Sequence, residues 1–183
     1  MIARLPPPRR SPPPRWRRQQ ARAPLVIPPP WRPWLLDQGS LTARLVAASG
    51  GDFRVQVLAQ ALRRPTREER AALALPERQV ALVREVLLYG RGEPWVYARS
   101  VVPLAVLHGR YGFLRRLGNK PLGALLFRAA GIRRGAIEVT RRAPPRFLPA
   151  VVADGPAWVR RSLFYLDRQP LLVAEMFLPG FTP

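Results

Sequence analysis

The order of hydrophobic patterns along this chain predicts an α+β fold, a single antiparallel β-sheet with helices packed on it. Three observations carry that expectation. Two pairs of β-rich runs are each joined by a short turn sequence, Gly90-Arg91-Gly92-Glu93 in the first pair and Asp167-Arg168-Gln169-Pro170 in the second. Helix-like segments fall between the pairs, which favours sequential hairpins over parallel crossovers. The 183 residues are 48% apolar, enough for one ordinary core.

Taken in order, residues 1–33 carry Pro6-Pro7-Pro8, Pro12-Pro13-Pro14 and Pro28-Pro29-Pro30 among arginines. Proline removes the donors that helices and ladders need, and there is little to bury, so a disordered tail is expected there and a folded domain over 34–183. A helix is expected over 40–48, capped by Ser40. Residues 52–58 read as a strand. Residues 66–73 read as a helix with Glu68 and Glu69 in its first turn, where carboxylates suit the dipole. The first hairpin pairs 79–89 with 94–102. After Pro103, residues 111–117 and 121–130 read as short helices, the second with Pro121 at its first position. Residues 136–141 form a further strand, and 158–166 pairs with 171–178 in the second hairpin.

Composition narrows the chemistry. There is no cysteine, and His108 is the one histidine, so thiolate metal sites, Cys nucleophiles and His-rich metal clusters are excluded. The net charge of +20 raises the possibility of nucleic-acid binding, but eight arginines without one acid lie in residues 1–34. The other 149 residues hold 23 basic and 11 acidic groups with the signs interspersed, and Lys120 is the one lysine. That pattern reads as compositional bias, and no nucleic-acid partner is expected; a positive field serves a small anionic substrate equally well. No apolar run matches a secretory leader, since the run from Ala23 to Ile27 is broken by Pro24, and none approaches the ~20 residues of a membrane span. A cytoplasmic protein is expected, and a monomer.

Two charges stand out from their strands. Alternation places Val80, Leu82, Arg84, Val86 and Leu88 on one face, so Arg84 is the lone charge in an apolar row. Leu171, Val173, Glu175 and Phe177 repeat the pattern with the opposite sign. Two arrangements fit. In one, Arg84 and Glu175 form a buried structural ion pair, or one of them faces solvent at a sheet edge. In the other they are the polar ends of a closed pocket for a small anion bearing a hydroxyl opposite its carboxylate, the guanidinium giving two-point capture and a desolvated Glu175 serving proton transfer. The helix starts at Ser40-Leu41-Thr42 and Lys120-Pro121-Leu122-Gly123 are candidate sources of free N–H donors. Arg99 is a further candidate anion contact, whereas His108, beside Gly109, reads as a solvated loop imidazole.

The run Leu82-Val83-Arg84-Glu85-Val86-Leu87-Leu88, with Gly92-Glu93-Pro94-Trp95 and Arg99-Ser100-Val101-Val102-Pro103, closely resembles bacterial chorismate pyruvate-lyases. Leu117-Gly118-Asn119-Lys120-Pro121-Leu122-Gly123, Arg160-Arg161-Ser162, Gln169-Pro170-Leu171-Leu172 and Glu175-Met176-Phe177-Leu178-Pro179 follow in that family's order. The resemblance covers about residues 34–180. It implies an antiparallel sheet with an internal ligand cavity beneath helical flaps, and a ligand held by Arg84, Glu175 and the backbone at Leu41 and Leu122. It further implies loss of pyruvate from chorismate to leave 4-hydroxybenzoate, a first committed step toward ubiquinone, with product inhibition and without metal, nucleotide or flavin. Arg84 and Glu175 would then be the catalytic pair. The rival from another class is a non-catalytic effector-sensing domain of related fold. For the basic tail, weak contact with anionic membrane is expected.

Overall fold

The two turn sequences close two long hairpins. Arg91 and Gly92 both adopt positive φ, 52° and 78°, as do Asp167 and Arg168, 47° and 70°, the pattern of the tight turns whose twist matches that of paired strands. The computed structural model describes residues 16–18, 26–128, 131–143, 145, 148 and 156–183. The first hairpin is β3 (Ala81–Gly90) with β4 (Glu93–Pro103), and the second is β7 (Ala157–Leu166) with β8 (Gln169–Phe177). They meet in the middle of one sheet, where β4 pairs antiparallel with β8.

Shorter or irregular strands complete the sheet: β1 (Arg17–Arg18), β2 (Phe53–Arg63), β5 (Arg133–Arg134) and β6 (Glu138–Arg142). The order is β1-β6-β7-β8-β4-β3-β2, with β5 paired to β7 off that path, and every pairing is antiparallel. The α+β class and the single antiparallel sheet hold. The strand expected over 52–58 runs to Arg63, because a bulge at Leu58 lets β2 continue along β3 after the side-chain alternation breaks.

The helices are α1 (Arg32–Leu35), α2 (Leu41–Ala48), α3 (Arg67–Leu73) and α4 (Leu122–Arg128). Helical turns of the tighter 3-10 kind occupy Pro29–Trp31, Leu104–Leu107 and Gly109–Arg116. Leu35, Leu41 and Leu45 pack on Val86, Leu88, Val96 and Phe177, while Val106, Leu107, Leu114, Leu122 and Leu126 pack on Leu82, Val102, Leu171 and Val173. Thus α1, α2, α4 and the three 3-10 turns cover one face. Leu73 of α3 packs on Val83, Val101 and Leu172 of the other. None of these helices is long and apolar enough to cross a membrane.

The edge expected at Trp34 falls inside the packed unit. The Trp31 ring lies 5.4 Å from Phe177 edge-on, 6.0 Å from Phe181 and 6.3 Å from Trp158, and Ile27 packs on the same cluster. Backbone pairing of β1 with Val139 and Glu138, and a 3.2 Å hydrogen bond from Trp16 Nε1 to Glu68 Oε2, bring a second piece of the expected tail onto the domain. Proline density masked these apolar anchors in the sequence. The rest of the expected tail, 1–15 and 19–25, lies outside the described residues.

Candidate active site

Strand phase brings the two isolated charges to the helix-covered face. Arg84 stands opposite Ser100 on β4, and Glu175 stands opposite Ala98 on the same strand. Between them lies a narrow cavity whose lining includes Thr42, Val86, Ser100, Leu122 and Val173. Its volume, about 30 Å³, has room for a water rather than an aromatic ring, so ring entry requires the covering helices to part.

Arg84 is 4% exposed. Its Nη1 donates to Gln60 Oε1 at 2.8 Å, and its Nη2 donates to the carbonyls of Gly118 at 2.7 Å and Lys120 at 3.4 Å. All three acceptors are neutral. Burial therefore lowers the affinity of this guanidinium for its proton, and no carboxylate among the described residues forms an ion pair with it. A buried cation left in that state favours an anion that fits its fork.

Glu175 has a partner that neither expected arrangement supplied. Arg160 of β7, opposite it in the sheet, donates from Nε to Glu175 Oε2 at 2.6 Å. The Arg160 side chain is 1% exposed, and its Nη1 also donates to the carbonyls of Trp34 at 2.7 Å and Asp37 at 3.3 Å. A structural ion pair between Arg84 and Glu175 is thus not what the fold makes, and Glu175 is not a solitary desolvated carboxylate. The reason is geometric: β8 has a neighbour on each side, and β7 supplies the cation.

Both candidate helix starts are at the cavity. Ser40 caps α2, its Oγ accepting from the Ala43 N–H at 3.3 Å. Leu41 sends its side chain into the core, 2% exposed, while the next residue, Thr42, lines the cavity. Leu122, first in α4, also lines it. The two helices approach closely: a Cβ at Gly123 would stand 2.9 Å from Thr42 Oγ1. Arg134 braces the chain ahead of α2, donating to the carbonyls of Asp37 at 3.1 Å and Gly39 at 3.2 Å and to Ser162 Oγ at 3.0 Å. Burial, and then the nearby Arg160 charge, push Arg134 down to about 10.

Arg99 is not part of this site. It lies on the opposite face, where Nε meets Glu69 Oε1 at 2.6 Å and Nη1 meets Glu85 Oε1 at 2.9 Å. His108 is exposed, in keeping with a solvated loop residue.

The sequence matches the chorismate lyase family over residues 15–182. This chain belongs to that family. Among chorismate lyase relatives, the probable chorismate pyruvate-lyase of Methylococcus capsulatus is 45% identical over 151 residues, covering 80% of this chain and 93% of its own. That of Thiobacillus denitrificans is 43% identical over 171 residues, covering 90% and 89%. Solved structures extend the likeness at the level of fold. PhnF from Mycobacterium smegmatis superposes with a TM-score of 0.60 at 19% identity, covering 80% of this chain and 67% of that one. Its effector domain alone gives 0.59, covering 79% and 91%. The chorismate lyase fold here is thus shared with the effector domain of PhnF.

Sequence reasoning missed Arg160, Arg134, Gln60 and Thr42. Reading β7 by faces would have found Arg160, since Trp158, Arg160, Ser162, Phe164 and Leu166 share the helix-covered side. Gln60 carried no such signal, because the bulge at Leu58 reverses the phase of β2.

Proposed function

We propose that this protein eliminates pyruvate from chorismate to leave 4-hydroxybenzoate, with Arg84 anchoring the ring carboxylate and Glu175 receiving the hydroxyl at the opposite end. The observation that carries the reading is Arg84 itself: a buried guanidinium, met among the described residues by neutral acceptors, facing a cavity that ends in a carboxylate. The N–H groups of Leu41 and Leu122, which open α2 and α4, complete the anchor. In the reaction the proton leaves the hydroxyl-bearing ring carbon and its electron pair forms the new ring double bond. The ether C–O bond breaks with its electrons on oxygen, and the enolate released takes up a proton to become pyruvate.

In this reading Glu175 holds the substrate hydroxyl and accepts the proton leaving the carbon that bears it. Arg160 fixes that carboxylate in place. Orientation and exclusion of water by α2 and α4 supply much of the remaining rate, since aromatisation is strongly downhill. Purified protein incubated with chorismate alone, and followed by absorbance of 4-hydroxybenzoate, tests this. Turnover without added metal or cofactor is the expected result. Binding of 4-hydroxybenzoate without turnover of chorismate would instead mark an effector-sensing domain, the reading that the fold likeness alone also permits.

A further inference from the structure

The cavity between Arg84 and Glu175 shares part of its wall with a second space. Thr42, Val55 and Pro121 line both, and the outer groove, about 880 Å³, runs between α2 and α4. Two cations line the groove. Arg54 is engaged, its guanidinium 3.5 Å from the centroid of the Tyr89 ring. Lys120 is exposed, and among the described residues its ammonium forms no ion pair. The backbone of Lys120 is nonetheless fixed. Its N–H donates to Leu117 O at 3.0 Å, and its carbonyl accepts from Arg84 Nη2 at 3.4 Å. One residue therefore touches both places, its carbonyl bonded to Arg84 and the residue itself in the wall of the groove.

Chorismate presents the matching difficulty. It carries two carboxylates, one on the ring and one at the end of the enolpyruvyl arm, and Arg84 accounts for the first alone. The arm needs a place beside the ring site, and the groove, which shares Thr42, Val55 and Pro121 with it, offers one. We infer that Lys120 is the receptor for the enolpyruvyl carboxylate, which makes the groove the subsite for the departing half of the substrate. This rests on the reading of Arg84 and Glu175 as the ends of the ring site. It also gives the site a means of telling substrate from product, because 4-hydroxybenzoate has no second carboxylate to offer Lys120.

The test compares Lys120→Met and Lys120→Arg with the wild type for KM on chorismate and for inhibition by 4-hydroxybenzoate. Lys120→Met is expected to raise KM about tenfold, the effect of losing one charge-assisted contact, while leaving the inhibition constant within twofold. Lys120→Arg should recover most of the loss. An unchanged KM overturns the inference. So does a parallel rise in both constants, which would show that the substitution acts through the backbone against Arg84. If the wild type bound chorismate without converting it, the lyase reading would fail, yet dissociation constants for the same two ligands on the same variants would still decide the role of Lys120.

Discussion

Arg84 and Arg160 are both buried arginines in central strands, yet the chemistry of each follows from its partners. Among the described residues no carboxylate pairs with the charge of Arg84. Arg84→Lys keeps the charge but loses the planar fork, and is expected to weaken 4-hydroxybenzoate binding by roughly 1–3 kcal/mol with little change in kcat. Equal affinity in the variant, measured by calorimetry, would remove Arg84 from the anchor. Glu175→Gln retains the shape and a hydrogen bond without the proton acceptor, so kcat of the folded protein should fall by about 10² or more, and the melting temperature should fall too because the buried Arg160 loses its counter-charge. Arg160 behaves otherwise. Arg160→Met strands Glu175 and leaves the Trp34 carbonyl without its donor, and is expected to cost about 3–5 kcal/mol in denaturant unfolding, a loss that Arg84→Lys does not share. Arg84 and Glu175 were legible because each interrupts an apolar row. Arg160 was not, because Arg160-Arg161 reads as a basic pair until the strand is divided into faces, one residue meeting Glu175 and the next Glu138.

At the scale of elements, local signals that agree with their surroundings were the readable ones. Residues 66–73 were expected as a helix, and α3 starts with a full capping box, Thr66 accepting from the Glu69 N–H at 3.3 Å and Glu69 accepting from the Thr66 N–H at 2.8 Å. Both hairpins follow from their turn residues. By contrast β1 and β5, two residues each, exist only because β6 and β7 offer them edges, and no local pattern announces that. Residues 111–117 were expected as a helix and lie largely within the 3-10 turns of Gly109–Arg116, a tighter winding that residue pattern does not distinguish. The cap of α3 has a consequence for pH. Burial alone would raise the pKa of Glu69, but the hydrogen bond and charge of Arg99, with the Thr66 contacts, outweigh it and hold the carboxyl below its ordinary value of 4.5. A carboxyl depressed by folding stabilises the protein fully above its unfolded value and loses that contribution as pH falls toward the folded one. Urea midpoints of the wild type should therefore drop below about pH 4.5 more steeply than those of Glu69→Gln, and parallel curves would show that Glu69 is not a source of the acid sensitivity.

Over the whole molecule, one sheet serves two purposes because its faces are chemically independent. The helix-covered face carries the cavity between Arg84 and Glu175, while the other carries the network of Glu85, Arg99 and Glu69. The unit extends upstream of Trp34, so a chain beginning there would lose Trp31 from its place among Trp158, Phe177 and Phe181. Such a truncation is expected to cost about 2 kcal/mol or more, read as a lowered melting temperature; an unchanged melting temperature would restore the boundary at Trp34. Strand β3 joins the two faces at adjacent residues, sending Arg84 to the cavity and Glu85 to the network, where Glu85 meets Arg99 at 2.9 Å. Phase along a strand has only two values, so gain or loss of a single codon between Ala81 and Arg84 would deliver the wrong charge to both sides at once, even though every other residue was kept. Inherited changes in length should accordingly gather in the loops around this hairpin, and a library of one-codon deletions would recover active members at its turns and none across that short stretch of β3.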